Sequence, residues 1–135
     1  MKEFVKDYWK TVVGYGFLIF TGSLVLFFIT TSAWIGMSVK DQCIAAREQY
    51  EGSCVEALID YVRDEQGHNL RERNRAVWAL GQLGDPRALP VLRSYYTGEE
   101  CDHGQFLCQW ELEKAIDLAG GGFNATAWVW RRDIK

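Results

Sequence analysis

The 135-residue chain carries 15 Lys and Arg against 18 Asp and Glu, a formal net charge of −3. Beyond residue 39 the count is twelve basic to sixteen acidic, which excludes a basic surface for nucleic acid as the main role. The mean hydropathy of −0.17 conceals two unlike parts, because residues 11–39 (TVVGYGFLIFTGSLVLFFITTSAWIGMSV) contain no Asp, Glu, Lys, Arg or His.

In chain order, residues 1–10 form an interfacial lead, with Tyr8, Trp9 and Lys10 suited to the headgroup layer. Residues 11–39 are predicted as a transmembrane helix, since about 20 apolar residues cross the hydrocarbon of a bilayer. A cleavable signal has an apolar core of only about 7 to 15 residues, so an uncleaved signal-anchor is expected. Lys2, Lys6 and Lys10, set among Glu3 and Asp7, slightly outweigh Lys40 and Arg47 and favour a cytoplasmic N-terminus. Trp34 suits the opposite interface. Gly16, Ser23 and Thr30 recur every seven residues, and Ser32 with Gly36 makes a small-xxx-small pair. They are either a packing seam for another membrane helix or the ordinary small-residue content of a span.

Residues 40–52 read as a membrane-proximal helix and linker, broken at Gly52. Residues 53–122 read as a helical domain. Ser53 with Glu56 has the capping-box spacing, and Val55, Leu58, Ile59 and Val62 share one face. That helix is expected to reach about Glu65. Leu70 to Leu83 is a second helix with Leu70, Val77, Leu80 and Leu83 on its stripe, closed by Gly84. Asp85 caps a third, opened by Pro86 and ending near Thr97, with a bend at Pro90. Gln105 to Ala119 is the last, ending at Gly120, Gly121 and Gly122. In the tail, 123–135, Phe123, Trp128, Val129 and Trp130 are too apolar for a free terminus. They fold back on the last helix or dock into a partner.

Each half of the domain thus offers a shorter and a longer helix, which implies two helical hairpins. The run RNRAVWALGQLGDPRALPVLRSYY, Arg73 to Tyr96, resembles the HEAT-like repeats known from bilin lyases. The matching residues are Ala79, Leu80, Gly81, Leu83, Gly84, Asp85, Pro86, Arg87, Ala88, Pro90 and Leu92. The resemblance implies an α-solenoid fragment; together with the uncharged run and the helical periodicity, the fold expected is all-α, one N-terminal transmembrane helix followed by a short α-solenoid of about two hairpins. A stack usually needs three or more repeats, so other parts of the chain are expected to cap its ends.

Cys43, Cys54, Cys101 and Cys108 all follow the apolar run, in two close pairs suited to local disulfides and an oxidising compartment. The alternative is four reduced, buried thiols. With the charge bias this puts residues 40–135 outside: periplasm in a bacterium, lumen or exterior otherwise. Cys101, Asp102, His103 and Cys108 have ligand chemistry but match no closed zinc pattern. Arg71 and Arg75 share a helix face and, with Trp128 and Trp130, are candidate partner-binding residues. His68 reads as a loop histidine without a special task. Asn124-Ala125-Thr126 is a glycosylation triplet. No nucleophile motif, phosphate loop or carboxylate pair is present, so neither enzymatic activity, cofactor nor small-molecule substrate is expected.

The function expected is a membrane-anchored interaction module, an accessory or assembly subunit whose partners are other subunits of a membrane complex and the bilayer. The alternative is a redox or metal-handling protein using the Cys101 to Cys108 loop. The resemblance alone suggests a third, a chromophore-lyase-like or chaperone role.

Overall fold

A computed structural model describes residues 2–102 and 104–134, with side chains from Tyr8 onward other than that of residue 133. Its regular elements are all helical, with no strand among the described residues.

The first helix, α1 (Lys2–Arg47), is uninterrupted for 46 residues, about 69 Å at 1.5 Å per residue. That is more than twice the roughly 30 Å of bilayer hydrocarbon, and burial divides it. From Tyr8 to Thr30 every residue is exposed, including Phe17, Leu18, Ile19, Phe20, Leu26 and Phe27. From Ser32 a stripe of Ser32, Gly36, Val39, Cys43 and Ala46 is buried, alternating four and three residues as one face of a packed helix does. The first half has the length and composition to cross a membrane. The second half belongs to the domain, and no break marks the passage at residues 39 and 40. The chain reverses after Arg47 through Gly52, at φ 108°.

The second helix, α2 (Cys54–Arg63), starts at the Ser53/Glu56 capping box and is tied to α1 where Cys43 and Cys54 stand 5.0 Å apart at Cα. Near its far end the Tyr50 hydroxyl donates to Asp64 at 2.7 Å and lies 3.1 Å from His68 Nε2. α3 (Leu70–Leu83), capped by Asn69 and Glu72, runs back toward the apolar half of α1. A 3₁₀ turn (Pro86–Ala88) and α4 (Leu89–Tyr95) follow. α5 (Gln109–Ala119) lies parallel to α3: Cys108 N–H donates to Asn74 near one end, and Gly81 meets Ala115 further along. Leu58, Val62, Val77, Leu80, Leu92 and Leu112 fill the space between the layers.

The physical content of the repeat signature is visible here. A Cβ at Gly81 would lie 2.7 Å from the Cα of Ala115, so α3 and α5 approach closely only without a side chain there. Gly84 ends α3 at φ 62°, the left-handed cap that glycine adopts without a Cβ penalty. Asp85 then accepts from the Arg87 N–H, and Pro86 opens the turn where its missing N–H costs nothing.

Three expectations need correction. Pro90 does not bend a continuous helix; the segment divides into a 3₁₀ turn and α4, and Pro90 falls in the first turn of α4, where no donor is required. The last helix starts at Gln109 rather than Gln105, because Gln105 and Phe106 turn back onto the Asp102 carbonyl. The tail folds back, but onto α1 and the end of α3. A short α6 (Ala127–Trp130) and a 3₁₀ turn (Arg131–Ile134) put Trp130 on Gly36, where a Cβ would meet it at 2.6 Å. Arg131 donates to the Gln82 carbonyl at 2.8 Å.

Candidate functional site

On α3, Ala76, Val77, Ala79 and Leu80 face the core, which leaves Arg71, Arg75, Trp78 and Gln82 as a stripe at intervals of four, three and four residues. α1 flanks this stripe on one side and α5 on the other. The result is a groove with Trp78 at its centre. Toward the start of α3 it widens into a concavity of about 580 Å³ lined by Arg71, Asn74, Arg75, Trp78, Cys108 and Glu111. Toward α1 a second hollow of about 410 Å³ lies between Trp34, Ser38, Asp41, Gln42, Arg75 and Trp78. Toward α5 Trp78 faces Trp110 and Lys114 across a smaller one.

Three helices thus each bring one tryptophan to the same face. Trp34 is 63 % exposed and Trp110 58 %, while Trp78 is half-buried. Lys114 lies over the Trp110 ring at 4.5 Å, leaving the cation exposed on an aromatic base. Arg71 and Arg75 are exposed and form no ion pair or hydrogen bond with another described residue. Arg73, between them in sequence, is buried: it donates to the Val62 carbonyl at 2.7 Å and to Glu65 at 2.9 Å, and covers the Tyr95 ring. Helix periodicity separates the structural arginine from the two available ones.

The groove rim on the α5 side is built by two devices. Cys101 and Cys108 are paired, 4.8 Å apart at Cα, and Cys101 Sγ accepts from the Trp110 N–H. Gln109, buried, accepts from Thr97 and Gly98 N–H and donates to the Tyr95 and Leu107 carbonyls. One side chain thereby satisfies four backbone groups of the Tyr95 to Leu107 connection. Of the four residues with ligand chemistry in this loop, Cys101 and Cys108 are bonded to each other and leave no free thiolate, and His103 lies outside the described residues. The described His, Cys, Asp and Glu form no cluster of three or more suited to a metal.

The remaining candidates are distributed. Gly16, Ser23 and Thr30 are exposed on the apolar half of α1, with Ser23 and Thr30 bonded to carbonyls one turn back. Ser32 and Gly36 are covered within the chain, Gly36 by Trp130. Trp130 is buried and Trp128 exposed. In the sequon, Asn124 donates to Gln82 and accepts from Thr126 Oγ and Ala127 N–H, so its amide holds the start of α6. His68, idle by its sequence context, is buried and stacked on Tyr61 at 3.5 Å. Its partners, Tyr50 and Glu72, become legible only once the α2–α3 turn is folded.

Residues 72–97 match the PBS lyase HEAT-like repeat family. The match runs from the first turn of α3 through α4 and contains Arg75 and Trp78. No curated protein and no solved structure matches the chain.

Proposed function

We propose that this chain is a membrane-anchored protein-interaction subunit. The apolar half of α1 spans the bilayer, the hairpins form a minimal α-solenoid capped by α1 and the tail, and the Trp34/Trp78/Trp110 groove takes a segment of another subunit of a membrane complex. The observation that carries the reading is the pairing of three accessible tryptophans with two unpartnered arginines on one concave face. Aromatic residues and arginine dominate binding energy at interfaces, and helical repeats commonly present such faces to other proteins. The occupant that suits it is a protein segment with apolar anchors and a carboxylate near Arg71 and Arg75. Two disulfide-bonded pairs and the lysines before the span support an oxidising, extracytoplasmic side for residues 40–135.

The test is mild-detergent extraction of native membranes from cells carrying tagged wild type, Trp78→Ala or Arg75→Glu, with Arg93→Glu as an exposed control outside the groove. A stoichiometric partner lost from both groove variants, at least tenfold, and retained by the control supports the reading. Equal recovery from all four removes the groove from it.

A further inference from the structure

The tail leaves a second set of apolar groups without a protein partner, at a defined height on α1. α6 and the turn after it border Ala33, Gly36, Met37 and Lys40. Trp130 and Ala127 are spent against the domain, whereas Trp128 is 75 % and Phe123 90 % exposed. Arg132, in the turn after α6, and Lys40, on the border of that turn, are exposed. Centring about 20 hydrocarbon-crossing residues on the uncharged stretch places the outer boundary near Ile35. Gly36 and the tail on it then stand in the headgroup layer, about 5 to 7 Å deep on each side. Trp34 marks the same level. α3 and the tail meet there too, since Arg131 reaches Gln82 at the end of α3.

We infer that residues 123–134 form a second membrane contact, an interfacial foot in which Phe123 and Trp128 enter the headgroup–acyl boundary and Arg132 and Lys40 meet lipid phosphates. This rests on the reading of α1 as a span. Indole rings favour that layer, a phenyl ring enters the headgroup–acyl boundary with other apolar groups of an interfacial segment, and a basic segment near it is drawn to anionic lipid. The chain's own packing chooses the rings: Trp130 turns toward Gly36, so Trp128, two residues away on a helix, points away from α1. A lipid surface suits this face better than a folded partner, because the position is continuous with the span and the exposed charges among its described side chains, Lys40 and Arg132, are cationic.

The full chain, reconstituted in vesicles of phosphatidylcholine with or without phosphatidylglycerol, carries its own probes in its six tryptophans. Lipid brominated high on the acyl chain quenches a ring at the boundary. If Trp128 is there, Trp128→Phe lowers the quenched fraction of emission, and Phe123→Trp in that background restores it. Arg132→Glu should remove the extra quenching gained with anionic lipid. A quenched fraction that rises in Trp128→Phe shows that the ring was shielded from lipid, by water, a second copy or another protein, and overturns the foot. Trp34→Phe separates the two readings. Loss of quenching there with none from Trp128 leaves the span and removes the foot; no quenching from either removes both.

Discussion

The α2–α3 and α4–α5 hairpins build similar pairs of helices by different means. The first is closed locally. Both its helices start at capping boxes, the turn between them is short, and Asp64 accepts from Tyr50 and from the Gly67 N–H. The second has no side-chain cap on either helix and joins them through the long connection around Cys101. Its order depends on the four bonds of Gln109 and on the Cys101–Cys108 bridge. The matched repeat covers neither hairpin whole; it covers the joint between them. That joint needs fixed letters, Gly81 and Gly84 above all, while each hairpin closes with whatever local chemistry is at hand.

The contrast breaks most sharply at Gln109. Gln109→Leu removes the side-chain partner of four backbone groups in the connection, at roughly 1 kcal/mol for each hydrogen bond lost. The expected loss is about 3 kcal/mol by chemical denaturation, with faster hydrogen exchange at 96–108 and unchanged exchange at 54–83. Uniform acceleration over both hairpins would mean that they unfold as one.

Replacing Cys101 and Cys108 together by Ser should cost roughly 2.5 kcal/mol by the loop-entropy relation, again concentrated in the second hairpin. Reducing agent should shift the wild type in the same direction. A variant as stable as wild type would assign the connection to Gln109 alone.

The smallest effect belongs to the first hairpin. Burial, reinforced by the hydrogen bond to Asp64, pushes the Tyr50 phenol up to about 12. The bond from Tyr50, with that from Gly67, holds the Asp64 carboxyl below the usual carboxylate range. Tyr50 therefore stabilises the fold fully below about pH 10, the unperturbed tyrosine value, and loses that contribution as pH rises to about 12. Asp64 behaves oppositely: its contribution is present above the ordinary aspartate value and lost as pH falls through the lowered one. Tyr50→Phe should cost about 1 kcal/mol at neutral pH and flatten the alkaline limb of a stability-against-pH curve. An unchanged limb would transfer the alkaline sensitivity to another group.

Much of this architecture is legible in the letters. The uncharged stretch, the Ser53 box, the stripe of α3 and its end at Gly84 follow from periodicity and capping, which act within a few residues. What escapes a reading of the letters depends on contacts distant in sequence. Gly36, four residues after Ser32, offers the same small-residue pattern whether it meets a foreign helix or Trp130, nearly a hundred positions later. Gln109 looks like any polar residue at a helix start until the Tyr95 and Leu107 carbonyls are brought around it. In the groove, helix phase selects Arg71 and Arg75, but Trp34, Trp78 and Trp110 converge only when α1, α3 and α5 are laid side by side.

The unbroken passage of α1 from its apolar half into the domain makes the helix a ruler. Trp34 and Gln42 mark the near and far edges of the hollow on its side, about 12 Å apart along the axis. With no hinge between, a spanning α1 holds that opening at constant height and tilt over the lipid. A ligand segment must then arrive within the first few turns above the bilayer, which selects for molecules themselves embedded in, or pressed against, the same membrane.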